Sequence, residues 1–291
     1  MKTLFLDCSM GAARDMLTAA LLELLPNPDA FVEKINALGI PKVKVSYEKV
    51  NKRGITGTQF NVKVDGVDEE EVHAHHHEHE HEHEHGHGHE HGHEHGHEHG
   101  HEHSHEHEHE HSHGHEHHHE HRSMDDIRHI VLEHLKLPEA VAQDVLGVYT
   151  VIAEAEGHVH GVPVSDIHFH EVGTMDAIAD ITSACLAMAE LAPDEIVVSP
   201  VHVGFGTVHC AHGILPVPAP ATAYILQGVP IYGGEVRGEL CTPTGAAILK
   251  HFADRFSTMP LMTVSSIGYG MGKKDFGTAG CLRAMIGETS N

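Results

Sequence analysis

Cationic side chains are scarce in this chain: 18 of its 291 residues are Lys or Arg, against 43 Asp or Glu, and the net charge is −25 with histidine neutral. Nucleic acid and anionic membrane surfaces are therefore poor partners. Cysteine is sparse as well. Cys8, Cys185, Cys210, Cys241 and Cys281 are odd in number, widely scattered and never in a Cys-x-x-Cys pair. This argues against a disulfide scaffold and a zinc ribbon and fits a reducing cytoplasm. Only Leu4-Phe5-Leu6 precedes the first acid, so no signal peptide is expected, and no apolar run approaches the roughly 18 residues of a membrane span. Walker and Rossmann phosphate-binding fingerprints are missing too.

What abounds is histidine. From His73 to His121 nearly every second residue is His; the tract holds 27 of the 37 histidines and 13 Glu, with no Lys or Arg, so about half of the negative charge lies in it. Neutral imidazole suits nickel, copper and zinc, and at four to six ligands per ion the tract could hold roughly four to seven ions. Alternate residues of an extended chain, such as His79, His81, His83, His85, His87 and His89, point the same way about 6.5 to 7 Å apart, so slight bending brings a pair onto one ion. With an unperturbed imidazole pKa near 6.5, its charge and metal affinity should vary steeply around neutral pH. The plain alternative is a solvated linker that binds metal only because any histidine run does.

The tract divides the chain into residues 1–70, a disordered insertion at 71–122, and residues 123–291 that pack with the first segment. Leu4 to Leu6 read as a buried strand ending at Asp7, followed by Gly11 and a helix carrying Met16, Leu17, Ala20, Leu21 and Leu24. A second helix is expected from Asp29 to Leu38. Val43, Val45 and Tyr47, then Phe60, Val62 and Val64, alternate with polar residues around a turn at Asn51 to Gly54, which predicts an antiparallel hairpin. After the tract, Ser123 and Asp126 resemble a capping box, and Pro138 opens a helix ending near Gly157. A helix at Met175–Leu191, a strand at Glu195–Ser199 and a Gly- and Pro-rich stretch to Pro220 follow. The expected class is α+β, or mixed α/β.

Chemistry concentrates at His168-Phe169-His170-Glu171, with Asp176 and Asp180 one helical turn apart behind it. A mixed imidazole and carboxylate site for a divalent ion can be built there; equally, the histidines could be structural and the aspartates solvated helix positions. His202, His209, Cys210 and His212 surround a Gly204-Phe205-Gly206 turn, where a thiolate beside imidazoles would favour borderline metals, although the spacing matches no standard zinc motif. Thr242 can cap a helix with Pro243 at its first position, and Thr244 and Gly245 lie at the same end. Such an end can hold phosphate or be simply capped. Gly268 to Lys274 combines glycines with two cations, Lys273 among them, and is compatible with an anionic ligand. Asp7 at a strand end and Asp15 in the first helical turns could hold an ion, though Asp15 suits the helix dipole equally well.

Together these segments resemble the nickel insertion proteins that complete the nickel-pincer cofactor of lactate racemase and related enzymes. The likeness runs through Leu4-Phe5-Leu6-Asp7-Cys8 with Gly11 and Asp15-Met16, through His168 to Gly173 and Asp176 to Asp180. It continues through Ser199 to Gly204, Gly213 to Pro220, Gly238 to Gly245 and Gly268-Tyr269-Gly270, covering almost all of the chain outside the tract. The resemblance implies delivery of nickel into a pyridinium-3,5-bisthiocarboxylic acid mononucleotide by a lyase-type, CTP-dependent cyclometallation. It also makes nickel the preferred ion for the tract. A divalent cation would accompany CTP, a homo-oligomer is expected, and an apo racemase-type enzyme is a candidate recipient of the product. Two departures stand out. Ala12-Ala13-Arg14 replaces a Gly-rich turn, and the chain stops at Asn291, where family members continue into a domain associated with CTP and its metal. That domain is expected in trans. The competing readings are a nickel storage or chaperone protein without catalysis, and a metal-dependent hydrolase using the cluster from His168 to Asp180.

Overall fold

The computed structural model describes residues 1–68, 122–169, 171–210 and 212–290. The tract histidines proposed as ligands, His79, His81, His83, His85, His87 and His89, lie outside them, as does His170.

Residues on both sides of the tract contribute to one mixed sheet. Its order is β14 (Arg255–Phe256), β7 (Glu195–Val198), β1 (Lys2–Asp7), β16 (Cys281–Thr289), β15 (Met262–Met271), β3 (Ile55–Val64) and β2 (Val43–Lys52), with β4 (Val67–Asp68) on β3. β1 is central, parallel to β7 and antiparallel to β16 with Phe5 opposite Met285, and all but its first residue is buried. The expected hairpin forms as β2 and β3. Its two-residue turn puts Arg53 and Gly54 at positive φ, the twist that joins antiparallel strands.

The helices are α1 (Arg14–Leu24), α2 (Pro28–Asn36), α3 (Met124–His129), α4 (Glu139–His160), α5 (Met175–Leu191), α6 (Pro220–Ile225) and α7 (Pro243–Phe252). The anticipated capping box is present: Asp126 N–H donates to Ser123 Oγ at 3.2 Å, and Ser123 N–H donates to the Asp126 carboxylate at 2.8 Å. α3 passes into a π-turn over Ile130–His134. α4 continues one turn past the expected stop at Gly157 and ends where Gly161 takes the left-handed conformation. α5 matches its sequence signal, and every residue from Asp176 to Met188 is buried.

The Gly- and Pro-rich stretch is built of two-to-four-residue strands: β8 (Val201–His202) beside β12 (Ile231–Tyr232), β9 (Gly204–Phe205) beside β13 (Gly238–Glu239), and the hairpin β10 (Thr207–Cys210) with β11 (Gly213–Pro216). Leu4, Leu6, Leu282 and Ala284 face the main core with α1 and α5, whereas Phe5, Val197 and Met285 form a small cluster on the other side of the sheet. Gly268 and Gly270, which the sequence offered as part of a glycine-rich stretch compatible with an anionic ligand, lie in β15. A Cβ on Gly270 would run into the Met16 carbonyl and one on Gly268 into that of Ala20, so these glycines seat the α1 backbone directly on the sheet.

Candidate functional site

The segment from Asp7 to Asp15, between the end of β1 and the start of α1, is a hub on which most of the candidates among the described residues converge. A strand end feeding a helix start is a common ligand position in open α/β sheets. At its first residue Asp7 is paired with Arg283 of β16, whose Nε lies 3.0 Å from the carboxylate, and accepts Ser9 N–H at 3.0 Å. Burial alone would push its carboxyl up; the Arg283 guanidinium and Ser9 outweigh that and hold it below the ordinary carboxylate value.

Next along the hub, Cys8 N–H donates to Ser199 Oγ at 2.8 Å, and the Cys8 thiol is buried close enough to Cys241 and Asp7 to feel their charge. Burial, more than either neighbour, pushes both the Cys8 and Cys241 thiols well up. Neither is a ready thiolate. His202 closes over the same turn, with Nδ1 2.9 Å from the Ser9 carbonyl and Nε2 3.0 Å from the Gly233 carbonyl. Its ring stacks on Tyr232 with centroids 4.7 Å apart. With both ring nitrogens facing carbonyl oxygens, His202 is held as a latch between the two loops in this conformation.

Ala12 is stitched to the loop before α7: its N–H donates to the Leu240 carbonyl at 2.8 Å and its carbonyl accepts Thr242 N–H at 3.1 Å. The amino termini of α1 and α7 are thereby held together. Thr242 caps α7 by accepting Gly245 N–H at 3.2 Å, and its hydroxyl lies 3.2 Å from that of buried Thr244. Gly245 is required by proximity, since a Cβ there would strike the Ala12 carbonyl.

Arg14 opens α1 and inserts between the two aspartates of α5, with Nη2 2.6 Å from Asp176 and Nε 2.8 Å from Asp180. The sequence put these aspartates on one face, either as ligands or as solvated positions. They are buried, and what bridges them is a guanidinium. Arg14 was missed because a cation at a helix amino terminus opposes the helix dipole; its rarity in so acidic a chain was the available clue. Asp15 is half-buried beside it. Burial pushes its carboxyl up, against the opposing pull of Arg14, the Met16 N–H and Lys273.

The His168 segment is held from beneath. β6 (His168–Phe169) pairs with β5 (Arg122–Ser123), leaving His168 exposed and Phe169 in the core. Arg122 donates to the Gly173 carbonyl at 2.7 Å, and fully buried Tyr149 donates to Val172 at 3.1 Å. Burial drives the Tyr149 hydroxyl strongly up, so it acts as a neutral donor. Glu171 lies in a 3-10 turn between these anchors. The other candidates are separate: His209 and His212 are exposed on the β10–β11 hairpin, where His212 meets His160 with ring centroids 5.1 Å apart. Among the described residues no group of three or more His, Cys, Asp or Glu side chains could hold a metal ion. No helix among them is long and apolar enough to cross a membrane.

Fold and hub define an α+β protein that gathers carboxylates, imidazole and thiols around one loop, with a histidine-rich insertion between its halves. Residues 4–291 match the family model described as nickel insertion protein, and the chain belongs to that family. It is 35% identical over 99% of its length to the pyridinium-3,5-bisthiocarboxylic acid mononucleotide nickel insertion protein of Geobacillus kaustophilus, covering 60% of that protein. The protein of the same name from Staphylococcus saprophyticus is also 35% identical, with coverage of 97% and 59%. The putative nickel insertion protein of Dictyoglomus thermophilum is 33% identical, with coverage of 99% and 61%. The chain thus spans about 60% of the length of these relatives. No solved structure matches it.

Proposed function

We propose that this chain is the nickel-handling part of an insertase that places Ni2+ into pyridinium-3,5-bisthiocarboxylic acid mononucleotide. The observation that carries the reading is the 35% identity, over 99% of the chain, to a relative named for that insertion. Here nickel is a substrate: the tract collects it in the cytoplasm, and the folded part receives the organic ligand. Nickel exchanges imidazole for the sulfur donors of that ligand. As the nickel–carbon bond forms, a ring carbon gives up a proton, for which a base is needed, and His168, His170 and Glu171 are the candidates to take it. The firmly anchored turn around Glu171 would hold such a base in place. Thr242, Thr244, Gly245 and Lys273 are the candidates for the mononucleotide phosphate, and Asp7, Asp15, His209 and His212 for transient contacts to nickel.

CTP would bring a divalent cation that its phosphates and one or two carboxylates can hold, and among the described residues no larger ligand group gathers. We assign both to the remaining 40% or so of the relatives' length, and place an apo racemase-type enzyme as recipient of the product. The histidine count of the tract favours one second reading, nickel storage without chemistry. The test is to delete residues 73–121, provide the region that makes up the rest of the relatives' length together with saturating nickel, and assay the metallated mononucleotide. Insertion should persist; complete loss, with the fold intact, would favour a carrier.

A further inference from the structure

Outside the hub and the tract, two exposed histidines are arranged in a way that regular helix geometry does not produce. His129 ends α3 and His134 ends the π-turn that follows, five residues later. In a continuous α-helix residues five apart lie about 140° apart around the axis and cannot meet. Here Leu135 N–H donates to the Ile130 carbonyl at 3.1 Å, an i+5 to i bond, and the widened turn lays one imidazole over the other. The rings meet edge to face with centroids 4.8 Å apart and the two Nε2 atoms separated by 3.1 Å. Such π-turns are rare and recur at functional sites.

We infer that His129 and His134 form a two-imidazole site for a borderline divalent cation, nickel being the one of interest. Two imidazoles bound to one ion at 2.0 to 2.1 Å, with an angle between 90° and 109° at the metal, place their nitrogens about 2.9 to 3.4 Å apart. The observed 3.1 Å lies inside that window. Without metal the neutral pair shares one proton, one ring donating and the other accepting. On binding, the donating ring's proton moves to its own Nδ1 through solvent, both Nε2 lone pairs face the cation, water fills the remaining coordination positions, and the exposed rings need only rotate slightly. Nickel, copper and zinc suit such a pair, whereas magnesium, which seeks oxygen ligands, does not. The site lies on the folded surface, eight residues beyond His121 in sequence. The inference is independent of the insertion chemistry.

Trypsin cuts after Arg128 and Lys136, so the peptide from His129 to Lys136 carries this pair and no tract histidine. The full chain is treated with diethyl pyrocarbonate with and without Ni2+, and modification is followed on that peptide by mass spectrometry. Nickel should slow modification of both histidines about tenfold once its free concentration exceeds the dissociation constant by a similar factor. Magnesium should not. In His134→Gln the protection of His129 should collapse, and in His129→Gln that of His134; both positions are exposed, so the fold is retained. Protection of one histidine surviving removal of the other, or no protection in the unsubstituted chain, overturns the proposal.

Discussion

At the scale of single residues, this hub depends on buried charges held in pairs. Arg14 sits where the helix dipole disfavours a cation, and Asp176 and Asp180 are buried where an unpaired carboxylate is costly; each offsets the other. Arg14→Met should therefore destabilise the protein by about 3–5 kcal/mol in urea unfolding, because two carboxylates lose their counter-charge in a nearly dry site. A smaller loss would mean that water reaches the pair. The two hub aspartates should differ in pH dependence. Asp7 is held below its ordinary value of 3.8, so its stabilising contribution is present above that value and lost as pH falls through the lower folded one. Asp7→Asn should lower stability at pH 7 and flatten the acid limb of the stability profile. Asp15 is shifted up, so ionising it opposes folding. Asp15→Asn should raise the urea midpoint at pH 7, with the gain vanishing once pH falls below 3.8.

At the scale of elements, periodicity and punctuation located most of the fold. The hairpin of β2 and β3, the capping box of α3 and the whole of α5 were legible because each has a local physical cause: alternation, a reciprocal side-chain cap, an apolar-rich stretch of helical length. Local signals gave no packing reason for Gly268 and Gly270. The reason for those glycines is the backbone of α1, some 250 residues earlier in sequence. Gly270→Ala should cost at least about 1–3 kcal/mol through overpacking, measured as a drop in thermal midpoint, because helix and strand must separate to admit the methyl group. Gly277, at positive φ with open space around its Cβ position, provides a control in which the cost comes from backbone strain alone.

At the scale of the whole molecule, the chain combines a folded body with a histidine tract, and the two answer to different physics. Equilibrium dialysis should find roughly four to seven nickel ions per chain above neutrality and a sharp fall below about pH 6.5, as imidazoles protonate. Deleting residues 73–121 should remove nearly all of that capacity while leaving the unfolding transition in place. A capacity that survived the deletion would locate the main store in the folded part.

Composition and spacing by themselves determined that the chain is α+β, which ions a histidine tract would prefer, and which short segments are candidates for chemistry. These properties follow from side-chain type and local periodicity, which need no partner distant in sequence. Tertiary structure decided what those segments do to one another: Arg14 between Asp176 and Asp180, His202 locked between two carbonyls, Thr242 tied to Ala12. Charge neutralisation, hydrogen-bond saturation and close backbone contact all depend on distances of a few ångströms between residues far apart in the chain. Only packing sets those distances.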